Sequence, residues 1–579
     1  MSAVEEEIVG TEPIRLRPDG LPKGFIMKTD GVYSRRDGKD GEAPEWRRLC
    51  SPIKVIALPC GADGTGWGRL VEIDDPDGRT HRWAIPAEML AGDGIEVRRE
   101  AFRLGLDLEP GTRARNEFLS LLQLWRPSAR ALTVDCLGWA SPACHAFTLG
   151  NGDVIGASDV VYQSEGAPHA AREMKPAGSL AEWQRSVGAA CIGNPILVAC
   201  VSLAFAGPLL EPLQMEGGGL HLRGASSRGK SSAQRVAVSV WGSPKFLHTW
   251  RATANGLEGT ASACNSTLLA LDEMGEVAAR EAGAACYMLA NGSGKMRASR
   301  TGTARPAARW RLPILSSGEI SLADKMSEGR ERIRAGQEVR LLDIPADGRA
   351  FGAFDNLHGK TDGKAFADHI NRAAAASYGT AGPAFVTALL NDFEGTVGNV
   401  RTSVETFSEE AARQLGFEDG QVKRGAQRLG LIAAAGELAT KFGITGWEPG
   451  DAFSAAMEVL KLWIASRGGG GSAEAREAVE RTREFIVAHG LSRFETFGGE
   501  KVFNRAGWRM GELYCFAPDV WRREVHAGAD GGRAAQLISA AGLLEPGDGK
   551  NLAKRISVPG EQRVRAYCVS ATIMEMDDE

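Results

Sequence analysis

The sequence has no excess of positive charge, no metal-binding cysteine pairs, no secretory leader and no apolar run of membrane-spanning length. Its formal net charge is −5, so any binding to nucleic acid has to come from local basic patches and not from the total. The ten cysteines are scattered, without a CxxC pair or a Cys/His cluster at zinc spacing. That excludes a zinc knuckle and leaves the expectation of free, buried thiols in a reducing cytoplasm. The start of the chain, Met1 to Val4 followed by Glu5-Glu6-Glu7, is acidic and lacks the apolar core of a secretory signal. The most apolar run, Ile196 to Leu210, is shorter than the ~20 residues a bilayer requires and is interrupted by Pro208, which predicts a buried helix and no membrane span. No internal repeat is present.

What is there belongs to a globular protein: 43% hydrophobic residues, 24% charged residues and 72 glycines in 579 residues. That length implies three or four domains. Residues 1–170 read as a β-rich N-terminal domain, with short strands such as Lys54 to Leu58 and Leu70 to Ile73 between Gly/Asp/Pro clusters. The Gly-rich piece Gly61 to Gly68 has no helix after it, so a hairpin turn is expected there and not a phosphate loop. Residues 171–363 pass from a helical stretch into alternating strand and helix, the pattern of a parallel α/β sheet. Helices dominate residues 364–466 (Ala365 to Ala376, Pro383 to Phe393, Ser408 to Leu415, Ala433 to Phe442, Ala452 to Ile464). A Gly-rich linker, 467–473, separates them from a C-terminal module, 474–579, whose helices and terminal hairpin suggest a winged-helix-like unit.

Phosphate binding needs inward-pointing backbone amides, the positive end of a helix and a cation. The octapeptide Gly224-Ala225-Ser226-Ser227-Arg228-Gly229-Lys230-Ser231, a Walker A match, supplies all three. Gly224 and Gly229 let the loop curl, Lys230 is the cation for the β- and γ-phosphates, and the Ser231 hydroxyl is a Mg²⁺ ligand. Ser232 continues the helix start. Forty residues on, Leu268-Leu269-Ala270-Leu271-Asp272-Glu273 is an apolar strand ending in two acids, a Walker B pattern. Asp272 is expected in the metal shell and Glu273 beside the attacking water. The chain is therefore read as an ATP- and Mg²⁺-dependent P-loop ATPase. A second Gly-Lys-Thr, in His358-Gly359-Lys360-Thr361, has Phe354 where the first glycine belongs and reads as a loop.

Beyond Glu273, a helix leads to a third strand, Trp310 to Leu315, tipped by Ser316-Ser317-Gly318-Glu319, and then to a fourth, Glu338 to Ile344. A polar residue at the tip of the third strand can contact the γ-phosphate or the lytic water, and Ser316 or Ser317 fits that role. An arginine entering the next strand is suited to a finger for a neighbouring subunit's nucleotide; Arg340 is the first choice, with Arg332 and Arg334 as rivals. No acidic residue lies between Glu281 and Glu319, a stretch holding Lys295, Arg297, Arg300, Arg305, Arg309 and Arg311.

These motifs, with Asp30 to Tyr33, Gly138-Trp139, Trp250 to Glu258, Leu315 to Glu319 and Ala335 to Asp343, resemble the bacterial and prophage ATPases of domain of unknown function 927. The resemblance implies an AAA-plus-like fold of the minichromosome-maintenance type and a hexameric ring that acts as a DNA helicase in the cytoplasm. It implies a trans-acting role for Arg340 and a pore hairpin carrying Lys295, Arg297 and Arg300 against single-stranded or forked DNA. Ser316-Ser317 departs from the asparagine usual at the first sensor of those helicases. No toprim-like acidic motif is present, so primase activity is not implied. A nucleotide-dependent switch or defence ATPase without translocation is the alternative.

Overall fold

The structure is a computed structural model. It describes residues 18–36, 44–162, 169–295, 297–298, 304–305, 307–329, 338–467, 473–496, 501–547, 551–558 and 563–575. The acidic start of the chain, Arg300, Arg332, Arg334 and the Gly-rich run 468–472 lie outside the described residues.

The middle of the chain is organised by a five-stranded sheet. Its strands are β1 (Gly218–Arg223), β2 (His248–Thr249), β3 (Leu269–Asp272), β4 (Pro313–Gly318) and β5 (Leu341–Pro345). They lie in the order β2-β3-β4-β1-β5, and every pairing is parallel. Leu269, Ala270 and Leu271 are all fully buried, as a strand covered on both faces requires. Because β4 is inserted between β1 and β3, the C-terminal tips of these three strands share one edge, where such sheets hold their ligands.

Helix α1 (Pro195–Leu213) runs through the core, and everything from Ile196 to Leu210 along it is buried. By length and composition it could cross a membrane, yet 83% of its apolar stretch is buried inside the protein, in accord with the buried helix expected. It contains Pro208 and Pro212, each of which removes the amide that would bond the carbonyl four residues earlier. Two indoles take those places: Trp241 Nε1 donates to Ala204 O and Trp139 Nε1 to Pro208 O, both at 2.8 Å. Helix α2 (Lys230–Val238) follows β1, and α3 (Ala254–Ala263), α4 (Ala279–Asn291) and α5 (Leu322–Glu328) complete the connections.

Five helices follow: α6 (Gly363–Ala376), α7 (Ala381–Asn391), α8 (Phe393–Leu415), α9 (Gly420–Lys441) and α10 (Asp451–Ser466). Helix α9 packs on α1, α8 and α10, so this helical layer shares its hydrophobic core with the sheet. Both α8 and α9 begin well before the expected Ser408 and Ala433. Gly425 in α9 lies so close to the Trp463 ring that a Cβ would come within 2.3 Å of it; close packing here outweighs the poor helix propensity of glycine.

The N-terminal part is β-rich as expected. It has a three-stranded sheet (Phe25–Lys28, Gly31–Arg36, Glu45–Cys50) and a five-stranded one running Val160–Tyr162, Arg130–Val134, Ile53–Cys60, Gly68–Asp74, Thr80–Pro86. Gly61 to Gly68 is the turn between two antiparallel strands, not a phosphate loop. Two helices, Ile95–Arg103 and Thr112–Leu124, were not anticipated. In the second, Ala114, Phe118, Leu121 and Leu122 are buried at helical spacing against the sheet.

The C-terminal residues form helices Ala473–His489 and Gly531–Ala540 over a six-stranded sheet, larger than the hairpin expected. The hairpin itself is Lys554–Ile556 with Val564–Ser570. Cys515 and Cys568 face each other in register across two strands and form a disulfide, which corrects the expectation of free thiols throughout. Their separation of 53 residues hid the pairing. The other eight cysteines are free.

Candidate nucleotide-binding site

Strand β1 ends at Arg223 and helix α2 starts at Lys230, so the octapeptide forms the turn between them. Gly229 caps the helix with φ +83°, and a Cβ there would sit 2.6 Å from the Phe354 ring. No side chain caps this helix, which leaves its first amides and its positive end for an anion. Ala225, Ser226, Ser227 and Arg228 are exposed, whereas Gly224 and Lys230 are buried and Ser232 packs inward. Lys230 Nζ donates to the carbonyls of Gly224 and Ala225, both at 2.7 Å. Two of its three N–H bonds thus hold it over the loop.

Asp272 is where the other groups meet. Ser231 Oγ donates to Asp272 Oδ2 at 3.1 Å, and Ser317 Oγ donates to Asp272 Oδ1. Next to it, Glu273 is exposed and takes a left-handed backbone (φ 61°, ψ 64°). For a residue with a Cβ this costs on the order of 1 kcal/mol. Helix α2 is tied to the same strand tips by the buried Gln234, whose Nε2 donates to Leu271 O at 2.9 Å and Leu315 O at 3.2 Å. The sequence reading missed Gln234, although its place one turn after Ser231 was a usable signal.

Ser316 does not join this group. It points to the other face of β4, where Trp250 Nε1 donates to its Oγ at 2.9 Å and His221 Nδ1 lies 2.9 Å away. Burial pushes the His221 pKa down, so the ring is neutral and carries one proton. The carbonyl of Ile320, 2.9 Å from Nε2, can only accept, which puts that proton on Nε2. Nδ1 therefore accepts from Ser316, whose hydroxyl donates to His221 and accepts from Trp250. Of the two serines proposed from sequence, Ser317 faces Asp272 and Ser316 is a buried structural link.

Arg340 enters β5 at its N-terminal end, away from the phosphate loop. It is 17% exposed, lies 3.4 Å from Glu216 and stacks over Tyr287 at 4.7 Å. The basic stretch does form a hairpin, Arg297–Ala298 pairing with Ala304–Arg305. The ribbon extends inward through Gly294 N to Ala308 O and Trp310 N to Gly292 O. Lys295 is exposed at its base, and its backbone amide donates to the buried Glu258 at 3.1 Å. Arg311 is not part of the basic face, since it pairs with Glu211 at 2.8 Å. His358 to Thr361 is a loop, as expected, with the His358 ring stacked on Phe366. Among the described residues no group of three or more His, Cys, Asp or Glu could hold a metal ion by itself.

The family described as domain of unknown function 927 (DUF927) matches residues 25–309. The matched segment holds the candidate phosphate loop, Asp272 and Glu273, and ends within the basic ribbon. It also holds Gly138-Trp139, whose indole serves the α1 carbonyl left by Pro212. Among solved structures, one of an SCCmec type IV Cch, described as an active helicase, is similar to this chain with a TM-score of 0.69 and 17% identity, covering 96% of this chain and 99% of that one. At that identity the likeness is one of fold, an α/β NTPase-like one. No curated protein matches the chain.

Proposed function

We propose that the chain hydrolyses ATP and works as an oligomeric motor, a ring-forming DNA helicase or translocase of a prophage or other mobile element, in the cytoplasm. The observation that carries this reading is the convergence of the Ser231 and Ser317 hydroxyls on the Asp272 carboxylate, beside a lysine held over an uncapped helix end. Residues Gly224 to Ser232 hold the phosphates, with Lys230 as their cation. Ser231 and Asp272 are hard oxygen donors within 3.1 Å of each other, a set suited to Mg²⁺. When bound, that ion neutralises phosphate charge. Glu273 orients and polarises the attacking water, and Ser317 holds Asp272 in place for that arrangement. Arg340 serves the nucleotide of a neighbouring subunit. The basic segment that includes Lys295, Arg297 and Arg300 in sequence grips a single strand through its phosphates. The division into residues 1–170, 171–363, 364–466, a linker 467–473 and a winged-helix-like 474–579 goes with this reading, the second and third being regions around one shared hydrophobic core. Support also comes from the similar Cch structure, described as an active helicase.

The test is ATP turnover with and without single-stranded DNA, together with the oligomeric mass. Lys230→Ala should lose nucleotide binding or turnover, and Glu273→Gln should bind ATP yet lose hydrolysis; a Gln variant as active as wild type would remove Glu273 from catalysis. A nucleotide-dependent switch without translocation is the second reading, favoured by the contacts of Arg340 within its own chain. Turnover that ignores DNA would select it.

A further inference from the structure

We propose that Asp347 is a positioning residue that braces the phosphate loop from outside in the shape that takes a nucleotide. This rests on the ATP reading of the same loop. Asp347 follows β5, and its Oδ2 accepts the backbone N–H of Ala225 at 2.9 Å. Its Oδ1 lies 3.1 Å from Arg228 Nε. Gly224 makes room for it: a Cβ there would come 2.9 Å from the carboxylate. The residues after Asp347 continue along the loop. Ala353 N–H donates to Arg228 O at 2.8 Å, and the Phe354 ring packs where Gly229 has no side chain. Residues 225, 228 and 229 are thus each held by one segment, 347–354.

That segment is itself fixed. Arg349 pairs with Asp355 at 2.6 Å. Asn194, at the N-terminal boundary of α1, accepts the amides of Asp355 and Asn356 at 2.8 and 2.9 Å and donates to Asn356 O at 2.9 Å. The brace connects the loop to α1 on one side and, through Phe354 stacked edge-on to Phe366 at 5.0 Å, to α6 on the other.

Electrostatics alone predicts the opposite role. A carboxylate near a triphosphate repels it, and deleting Asp347 would also release the Arg228 charge to attract the ligand. In the brace reading Arg228 neutralises the carboxylate, and what Asp347 contributes is a pre-formed loop, so that less ordering is needed on binding. The two readings differ in sign.

The experiment uses the full chain carrying Asp347→Ala or Asp347→Asn. Hydrogen exchange of the 222–232 amides is followed without nucleotide, and Mg·ATP affinity and turnover are measured separately. The Ala variant should exchange at least about fivefold faster in the loop and bind ATP about tenfold more weakly, with turnover at saturating ATP within about twofold of wild type. Asn keeps an oxygen for the Ala225 amide and should restore both exchange and affinity. Unchanged exchange, or ATP binding as tight as or tighter than wild type in the Ala variant, overturns the proposal. Should the Ala variant not fold, an Asn variant with loosened loop amides or weakened ATP binding overturns it equally. A wild type that binds no ATP sinks the nucleotide reading, and the positioning role with it, whereas a failure confined to the variants sinks the brace alone.

Discussion

Ser316 and Ser317 are neighbours in sequence, but the pleat of β4 sends their hydroxyls to opposite faces, one to His221 and Trp250 and one to Asp272. Their substitutions should therefore fail in different ways. Ser317→Ala should lower hydrolysis by roughly tenfold or more while melting like wild type, because it removes a hydrogen bond from the candidate metal ligand. Ser316→Ala should instead cost about 1–3 kcal/mol of stability, since it leaves a buried indole N–H and a buried imidazole nitrogen without their partner. Urea unfolding and saturating-ATP turnover, measured on both variants, separate the two; a Ser317→Ala enzyme with normal turnover would detach that hydroxyl from function. A second residue-scale effect is set by His526, whose pKa burial pushes down from 6.5 to about 4, helped by the charge of Arg481. Its Nε2 lies 3.3 Å from Thr482 Oγ1, whose own proton goes to Ala478 O. The unfolded chain takes up a proton near pH 6.5 that the folded state refuses until about pH 4. This group thus contributes full stability above pH 6.5 and loses it as pH falls, up to about 3 kcal/mol over the whole window. Unfolding followed between pH 7 and 5, above the range of most carboxylates, should show a slope that His526→Gln flattens.

At the scale of elements, the indole bonds to α1 can be tested by a double-mutant cycle. Trp241→Phe strips the donor from Ala204 O and should cost about 1–3 kcal/mol beyond its loss of packing. In a Pro208→Ala background, residue 208 regains an amide for that same carbonyl, so the Trp241→Phe cost should shrink by at least about 1 kcal/mol. Equal costs in both backgrounds would mean the indole bond contributes little. Such long-range substitutions are also why sequence reading stops where it does. The candidate phosphate loop, the β3 acids, the buried α1 and the basic hairpin were legible because each is a local pattern of spacing, charge or hydropathy. Asp347, the choice between Ser316 and Ser317 and the Cys515–Cys568 pair were not, because their partners come from strands and loops distant along the chain. The helix Thr112–Leu124 was legible at Ala114, Phe118, Leu121 and Leu122 but was overlooked among short strands. Early α9 was obscured by Gly425 and Gly430, which lower helix propensity in isolation but are buried inside the packed layer. For the ribbon, replacing Lys295, Arg297 and Arg300 together by Ala should weaken single-stranded DNA binding and reduce its log–log salt slope by about 2, with basal hydrolysis largely intact. A triple variant that binds and responds to DNA like wild type would end the hairpin reading.

For the molecule as a whole, the position of Arg340 decides whether one chain can carry a complete hydrolytic site. Arg340 precedes Leu341 at the N-terminal end of β5, whereas the phosphate loop stands beyond Arg223, which pairs with Pro345 at the other end. Five residues of strand put roughly 16 Å between those ends, more than an arginine side chain spans. Its guanidinium is moreover turned to Glu216 and Tyr287. Arg340 therefore does not reach the candidate phosphate loop of its own chain, and any role in hydrolysis requires a second subunit. Arg340→Ala should bind ATP normally and hydrolyse it at least about a hundredfold more slowly, in line with what an arginine finger contributes. Lys230→Ala keeps the finger and loses the loop. Each variant is inactive alone for a different reason, and in a mixed assembly an interface that joins the intact loop of one to the intact arginine of the other is complete. Titrating one variant into the other at constant total protein should therefore bring turnover up to a maximum at intermediate ratios and down again at either end. A flat profile at background, or a wild-type monomer that hydrolyses at full rate, would return Arg340 to a structural role as the partner of Glu216 and Tyr287, and would favour the switch over the motor.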